Sequence, residues 1–146
     1  MLCSAALEFY KLYGVSPGDR VVVLTNNDSA YSSVIELFNA GISVPLVIDV
    51  REKSDGNLPL KAKKLGIRVE FSKAISKVIG KKKVKAVELC SVVGEGAVLE
   101  TIICDSVLMS GGWTSTLNLW SHCGGKIKWD SKLNTLVPDE SFPSIN

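Results

Sequence analysis

The sequence has few of the residues that build metal or nucleophilic centres. It contains one histidine, His122, and four cysteines, and no two of these form a Cys-x-x-Cys pair. Because a zinc site needs about four clustered ligands, we expect no metal centre. His122 adjoins Cys123, but neighbours along a helix or strand do not face each other, so no thiolate–imidazole pair is expected. The sequence also lacks a Walker loop and a Gly-x-Ser-x-Gly elbow, and we predict no catalytic residue.

Long apolar runs and a large charge of one sign are also absent. No run approaches the roughly 20 apolar residues of a membrane span. The first residues lack the basic start of a secretory signal, and Glu8 and Lys11 interrupt the apolar stretch that follows. We therefore expect a cytoplasmic protein that does not enter the membrane. The net charge of +2 is too small to indicate nucleic-acid binding.

One basic cluster stands out, residues 81–83 with Lys85, and it follows Gly80 between two alternating apolar runs. This pattern favours a solvated hairpin turn whose charges also prevent pairing with other strands. A surface for phosphate or for an acidic partner is the alternative.

The apolar pattern predicts an ordered series of helices and strands. Helices are expected over 4–13, 29–40 and 58–65, and strands over 21–25, 44–50, 67–71, 74–79, 84–93, 97–104 and 105–109. The β-branched run at 21–25 is typical of a central parallel strand. Turns at 80–83 and 94–96 separate three consecutive strands into an antiparallel meander. Cys90 and Cys104 lie in these apolar runs and are interpreted as small buried side chains.

The turn after the first strand has the layout of a dinucleotide-binding fingerprint without its glycines. Thr25, Asn27 and Ala30 stand where the three glycines belong. Ala30 preserves the close approach of helix and strand, but the Asn27 side chain fills the space of a pyrophosphate. Asp28, a plausible N-cap, places a negative charge where a diphosphate would lie.

Two interpretations of this turn remain open. The favoured one is a purely structural turn. The other is a nucleotide site formed by a run of six residues: Thr25, Asn26, Asn27, Asp28, Ser29 and Ala30.

Three further residues belong to the candidate site. Asp49 ends the second strand, about 20 residues after Thr25, where an acidic residue normally holds a ribose hydroxyl. Arg51 could instead favour a 2′-phosphate, but an Asp49–Arg51 ion pair is the simpler interpretation. Gly111 and Gly112 follow the last strand and permit close backbone approach to a ligand, with a plain connector as the alternative.

The order of these elements resembles the inserted nucleotide-binding domain of flavoproteins of the glutathione-reductase kind. More specific motifs are Tyr13-Gly14-Val15, Pro17-Gly18, Thr25-Asn26-Asn27-Asp28-Ser29-Ala30-Tyr31, Ser110-Gly111-Gly112-Trp113-Thr114, Gly124-Gly125-Lys126, Trp129-Asp130 and Val137-Pro138. With these motifs the chain resembles the alpha subunits of heterotetrameric sarcosine oxidases, from about residue 5 to residue 138.

The resemblance implies an α/β fold, a Rossmann-like parallel sheet with a three-strand antiparallel β-meander as its crossover. It implies an NAD(P)-binding-type domain over residues 1–110 and a connector over 111–146 toward a flavoprotein-type domain. Trp113, Trp120 and Trp129 are interpreted as core or interface aromatics, with one or two exposed where that domain would pack.

The resemblance also implies a function. The family oxidatively demethylates sarcosine to glycine, and its alpha subunit carries a tightly held NAD and a folate-binding part. Covalent flavin chemistry belongs mostly to the beta subunit. In that family the intact Gly-x-Gly-x-x-Gly motif precedes the region matched here. We therefore expect a segment without turnover of its own, with FAD or FMN supplied by other domains or by a beta-type flavin subunit. One alternative is a stand-alone dinucleotide-binding module, and another is a decayed or truncated product that folds without any activity.

Overall fold

The computed structural model of the protein describes residues 1–94, 96–133 and 135–140. Contacts group the chain into two units, Met1–Gly112 and the residues from Trp113 onward. Glu95, at the centre of the predicted turn at 94–96, lies outside the described residues. So do Asn134 and residues 141–146 of the predicted connector.

The first unit alternates helices and strands before it enters a run of strands. Its helices are α1 (Cys3–Tyr13), α2 (Ser29–Asn39) and α3 (Asn57–Lys64). Its strands are β1 (Arg20–Thr25), β2 (Ser43–Asp49), β3 (Val69–Phe71), β4 (Lys73–Gly80), β5 (Val84–Ser91), β6 (Val98–Ile103) and β7 (Ser106–Ser110). Each predicted element of this region is present, with ends shifted by up to two residues.

Four strands form a parallel sheet in the order β3-β2-β1-β7. The central strand β1 is buried because it is covered on both faces, as its unbroken β-branched run predicts. On the helical face, the core includes Val21 and Val23 from β1 and Val34 and Leu37 from α2. These contacts fix the start of α2 directly beyond the end of β1.

The meander β4-β5-β6 is antiparallel and covers the opposite face of the parallel sheet. Val22 and Ile48 of the parallel sheet share a core with Val87 and Leu89 of β5. The chain then returns to the parallel sheet as β7, beside β1. The α/β fold with a Rossmann-like sheet and a meander crossover is therefore confirmed.

Two smaller predictions about this region are also confirmed. Residues 81–83 form the turn between β4 and β5, as the basic cluster after Gly80 indicates. Cys90 and Cys104 are both buried, while Cys123 of the second unit is exposed.

The second unit is small and has little interior. It contains α4 (Asn118–His122) and a hairpin of β8 (Ile127–Asp130) with β9 (Thr135–Pro138). None of its described residues is buried. Local hydrogen bonds order it instead, such as that from Trp120 Nε1 to the carbonyl oxygen of Lys126 (2.6 Å). Backbone amides of Lys132 and Leu133 donate to Asp130 and lower the pKa of its carboxyl group.

Two further kinds of feature are absent from the described residues. Over residues 1–94, 96–133 and 135–140, no helix combines the length and apolarity needed to cross a bilayer. The same residues contain no group of three or more histidine, cysteine or acidic side chains that could hold a metal ion.

Candidate functional site

Three parallel strands end side by side at the position where the sequence predicts the site. Thr25 of β1 is in register with Asp49 of β2 and with Ser110 of β7. Ligands of open α/β sheets bind beyond the carboxyl ends of the strands, so this edge is the expected location. The side chains here form two clusters. We call Asn26, Asn27 and Ser110 the amide half, and Asp28, Asp49 and Arg51 the charged half.

Asn27 connects the two strands of the amide half. Its Nδ2 donates to Oδ1 of Asn26 (2.9 Å) and to both the carbonyl oxygen and Oγ of Ser110 (3.1 Å each). Its Oδ1 accepts a hydrogen bond from the backbone amide of Ser29 (3.1 Å) at the start of α2. The side chain therefore spans the gap between β1 and β7 and also satisfies one of the free amides of the helix.

The other residues of the turn also form hydrogen bonds within this edge of the sheet. Thr25 is buried, and its Oγ1 accepts from the backbone amide of Asn27 (3.1 Å). Asn26 is exposed and donates from Nδ2 to the carbonyl oxygen of Gly111 (3.1 Å). A Cβ atom on Gly112, whose φ is +94°, would lie 3.4 Å from Oδ1 of Asn26. The two glycines therefore contact the turn itself, and the predicted turn and glycine residues are brought together.

Asp49 is the centre of the charged half and has no exposed surface. Its Oδ1 accepts hydrogen bonds from the backbone amide of Arg51 (3.1 Å) and from Nε of Arg51 (2.9 Å). Its Oδ2 accepts from the hydroxyl of Tyr31 (2.8 Å) and from Nη2 of Arg51 (2.7 Å). The simpler interpretation of the sequence, an Asp49–Arg51 ion pair, is therefore correct.

Asp28 joins the same cluster from the start of α2. Its Oδ1 accepts from Nη2 of Arg51 (2.7 Å) and from Oγ of Ser54 (2.9 Å). It occupies the N-cap position, but its side chain makes no capping hydrogen bond. The prediction that Asp28 caps the helix is wrong in this respect, because Arg51 and Ser54 hold the carboxylate away from the helix amides.

The charges of this cluster affect one another. The hydrogen bond to Asp49 raises the pKa of Arg51, which keeps the guanidinium charged throughout the accessible pH range. Burial, followed by the hydrogen bond to Asp49, raises the pKa of Tyr31, so its hydroxyl stays protonated and donates. Buried charges need compensating partners, and Asp49 receives four hydrogen bonds.

These contacts bear directly on whether a dinucleotide fits here. In the fingerprint, a bare backbone faces the pyrophosphate and a carboxylate faces the ribose. Here the Asn27 side chain occupies the opening between β1 and β7, and both oxygens of Asp49 already accept hydrogen bonds. Asp28 adds a second carboxylate at the same edge. The arrangement does not fit a dinucleotide without rearrangement of these side chains.

Three participants were not among the predicted site residues: Tyr31, Ser54 and Ser110. Tyr31 carried a detectable signal, because a tyrosine on the inner face of a helix needs a partner for its hydroxyl. In the sequence, Ser110 is distinguished only by its position before two glycines. Ser54 gave no signal, since it lies in a polar loop whose path is fixed by contacts distant in sequence.

Curated relatives match the chain over nearly its whole length. It is 30% identical over 145 residues to the sarcosine oxidase subunit alpha of Rhizobium meliloti (strain 1021), which covers 99% of the chain. It is 32% identical over 146 residues to the protein of that name from Corynebacterium sp. (strain P-1), which covers 95%. The chain spans only 14–15% of the length of these relatives. No model of a protein family matches.

Solved structures share the fold. A thioredoxin reductase from T. acidophilum has a TM-score of 0.62 at 19% identity, over 75% of this chain and 36% of that one. L-proline dehydrogenase from P. horikoshii has a TM-score of 0.53 at 19% identity, over 97% of this chain and 22% of that one. The resemblance inferred from the sequence motifs is thus confirmed, and this chain is similar, over nearly its whole length, to one segment of the sarcosine oxidase alpha subunits.

Proposed function

We propose that this chain serves as a non-catalytic dinucleotide-domain segment of an amine-oxidising flavoprotein. In this role it completes a dinucleotide-type subunit and contacts the chains around it, while its own phosphate turn binds no cofactor. The substrate of the whole enzyme would be sarcosine or a related secondary amine. NAD and FAD or FMN would be held by other segments or by a beta-type flavin subunit.

One observation carries this proposal: the groups that a dinucleotide would need are already bonded to the protein itself. Asn27 bridges β1 and β7, and Asp49 is fully buried with four donors. Exchanging these hydrogen bonds for bonds to a cofactor would gain little, because each displaced donor must find a new partner.

The oxidoreductase part of the proposal is supported by the relatives, which are named sarcosine oxidase. Exposed aromatic side chains support the contact role. Trp113 is 77% exposed and Trp129 is 57% exposed. Large apolar side chains at a surface often mark interfaces. No residue of the chain is assigned to amine oxidation.

Calorimetric titration of the full chain with NAD, NADP and ADP tests the binding part. We expect no saturable heat for the wild type and none for Asp49→Asn. Asp55→Asn is the matched control, because Asp55 is exposed in the same loop region and pairs with Lys53. Saturable binding to the wild type that Asp49→Asn weakens and Asp55→Asn preserves would overturn the proposal in favour of a stand-alone nucleotide module.

The catalytic part has a separate test. We expect the purified chain, supplied with flavin and sarcosine, to consume no oxygen above the level of free flavin. Turnover that depends on the chain and saturates with sarcosine would contradict the assignment of a non-catalytic role.

A further inference from the structure

The carboxylate of Asp28 lies in a small enclosure made by the loop after β2. Nη2 of Arg51 and Oγ of Ser54 both donate to its Oδ1, at 2.7 and 2.9 Å. On the other side, a Cβ atom placed on Gly56 would stand 1.9 Å from Oδ2 of Asp28. Only a residue without a side chain can therefore lie at position 56 while the carboxylate is in place. We call Arg51, Ser54 and Gly56 the anion cradle.

The cradle has the chemistry of a site for a small anion. A guanidinium forms charge-assisted hydrogen bonds to carboxylate and phosphate oxygens, a hydroxyl adds a neutral donor, and a glycine allows close approach. An aspartate at the N-cap position usually caps the helix with its side chain. The Asp28 side chain does not cap α2. It is bound by the cradle as a ligand would be.

Arg51 of the cradle is anchored by a residue other than Asp28. Arg51 is held from behind by the buried Asp49, through Nε and Nη2. The guanidinium therefore stays in position when the Asp28 carboxylate is absent. Such preorganisation lowers the ordering cost that an anion would meet on binding.

We propose that Arg51, Ser54 and Gly56 form an anion-binding site that Asp28 occupies as an internal ligand, excluding external carboxylates and phosphates. The inference rests on the proposed function, in which this edge of the sheet is closed by its own side chains. Because Asp28 is tethered beside the cradle, it competes at a high effective concentration, in the range of mM or above. Dilute anions in solution do not displace it.

Of the charged groups that face the site, Asp28 and Asp49 are negative and Arg51 is positive. Removing the Asp28 charge changes the balance from one net negative to neutral. This favours a monoanion such as acetate or singly charged phosphate over a diphosphate, because Asp49 already balances the positive charge of Arg51.

Chemical rescue tests this directly. The melting temperature of Asp28→Ala should be lower than that of the wild type and should rise with added acetate or inorganic phosphate, measured against chloride at equal ionic strength. For Asp28→Ala, we expect an anion concentration at half-saturation that is at least about tenfold lower than the concentration needed for any effect on the wild type. NMR of the Arg51 Nε–H should shift with the same saturation curve.

Matched variants identify the source of any rescue. Asp55→Ala removes an exposed acid close in sequence, which pairs with Lys53 rather than with the cradle, and should show no anion-dependent recovery. Asp28→Ala combined with Ser54→Ala should bind the anion more weakly, because one donor is lost. Asp28→Asn keeps the cradle filled with a neutral amide and should be rescued less than Asp28→Ala.

Equal responses to acetate and chloride in Asp28→Ala, with no shift at Arg51, would overturn the inference. Rescue of Asp55→Ala to the same extent would do so as well, because the effect would then be non-specific. Failure of the proposed function gives a different result, namely NAD or ADP binding to the wild type.

Discussion

The two halves of the sheet edge close it with different chemistry. The amide half joins β1 to β7 through the neutral side chains of Asn27 and Ser110, which are only partly buried. The charged half joins α2 to β2 through Asp49, which has no exposed surface, and Arg51. A partly exposed amide can exchange its partners for water, whereas a buried carboxylate cannot. The charged half should therefore matter more to stability, although both halves obstruct the same ligand, the amide half at its pyrophosphate and the charged half at its ribose.

The largest expected effect comes from removing the buried charge. Asp49→Ala leaves Arg51 and Tyr31 without their main acceptor, and loss of one member of a buried pair costs about 3–5 kcal/mol. Chemical denaturation should show a loss of that order, against almost none for Asp55→Ala, whose carboxylate is exposed. A loss below about 1 kcal/mol would show that the buried carboxylate does not organise the charged half.

The next effect comes from Tyr31, which, in the described part of the chain, supplies the donor to Asp49 that does not belong to Arg51. Tyr31→Phe leaves Asp49 short of one hydrogen bond, and we expect a loss of about 1–3 kcal/mol at neutral pH. Urea unfolding measures it. Tyr10→Phe is the control, since Tyr10 is only partly buried and packs at the edge of the core. Equal losses in both variants would contradict the role given to the hydroxyl.

The stability contributed by the Tyr31 hydroxyl should also depend on pH. Burial raises the pKa of Tyr31 in the folded protein above its usual value of about 10. The folded state therefore keeps a proton that the unfolded state releases, so this contribution is complete below about pH 10 and is lost as the pH rises above it. Stability of the wild type should fall more steeply than that of Tyr31→Phe in this alkaline range. Parallel curves would show that the phenol is not protected.

A smaller effect is expected in the amide half. Asn27→Ala removes the bridge to Ser110 and the acceptor for the amide of Ser29, with an expected loss of about 1–2 kcal/mol. Thermal unfolding compared with Asn39→Ala, an exposed asparagine at the end of α2, measures it. A loss larger than that of Asp49→Ala would reverse the ranking of the two halves.

The smallest effect is expected at the rim of the charged half. Asp28→Asn keeps the shape of the side chain but removes its charge, and the Asp28 side chain is 39% exposed. Pairs of this exposure contribute little, so we expect a loss of about 0.5 kcal/mol that shrinks further at high salt. Denaturation at low and high salt measures both values. A salt-independent loss would mean that geometry rather than charge holds Asp28.

The sequence alone predicted the scaffold well because the scaffold follows from apolar periodicity. The β-branched run of β1 and the small residues around the turn indicated the strand, the turn and the helix. The interior of the site was harder, since it depends on contacts between residues far apart in the chain. Nothing local shows that the carboxylate of Asp28 turns toward Ser54 in the loop after β2 and away from its own helix. No element was predicted in the second unit, because its described residues bury no apolar face and are ordered by local hydrogen bonds.

The central claim is that side chains of the protein itself occupy the place of a dinucleotide at this edge. NMR of the wild-type chain, with NAD added to about 1 mM, tests it most directly by following the Asn27 side-chain amide, the Arg51 Nε–H and the Ala30 backbone amide. The account predicts that all three signals keep their positions. Saturable shifts of these signals, absent from the exposed amide of Asn39, would contradict it.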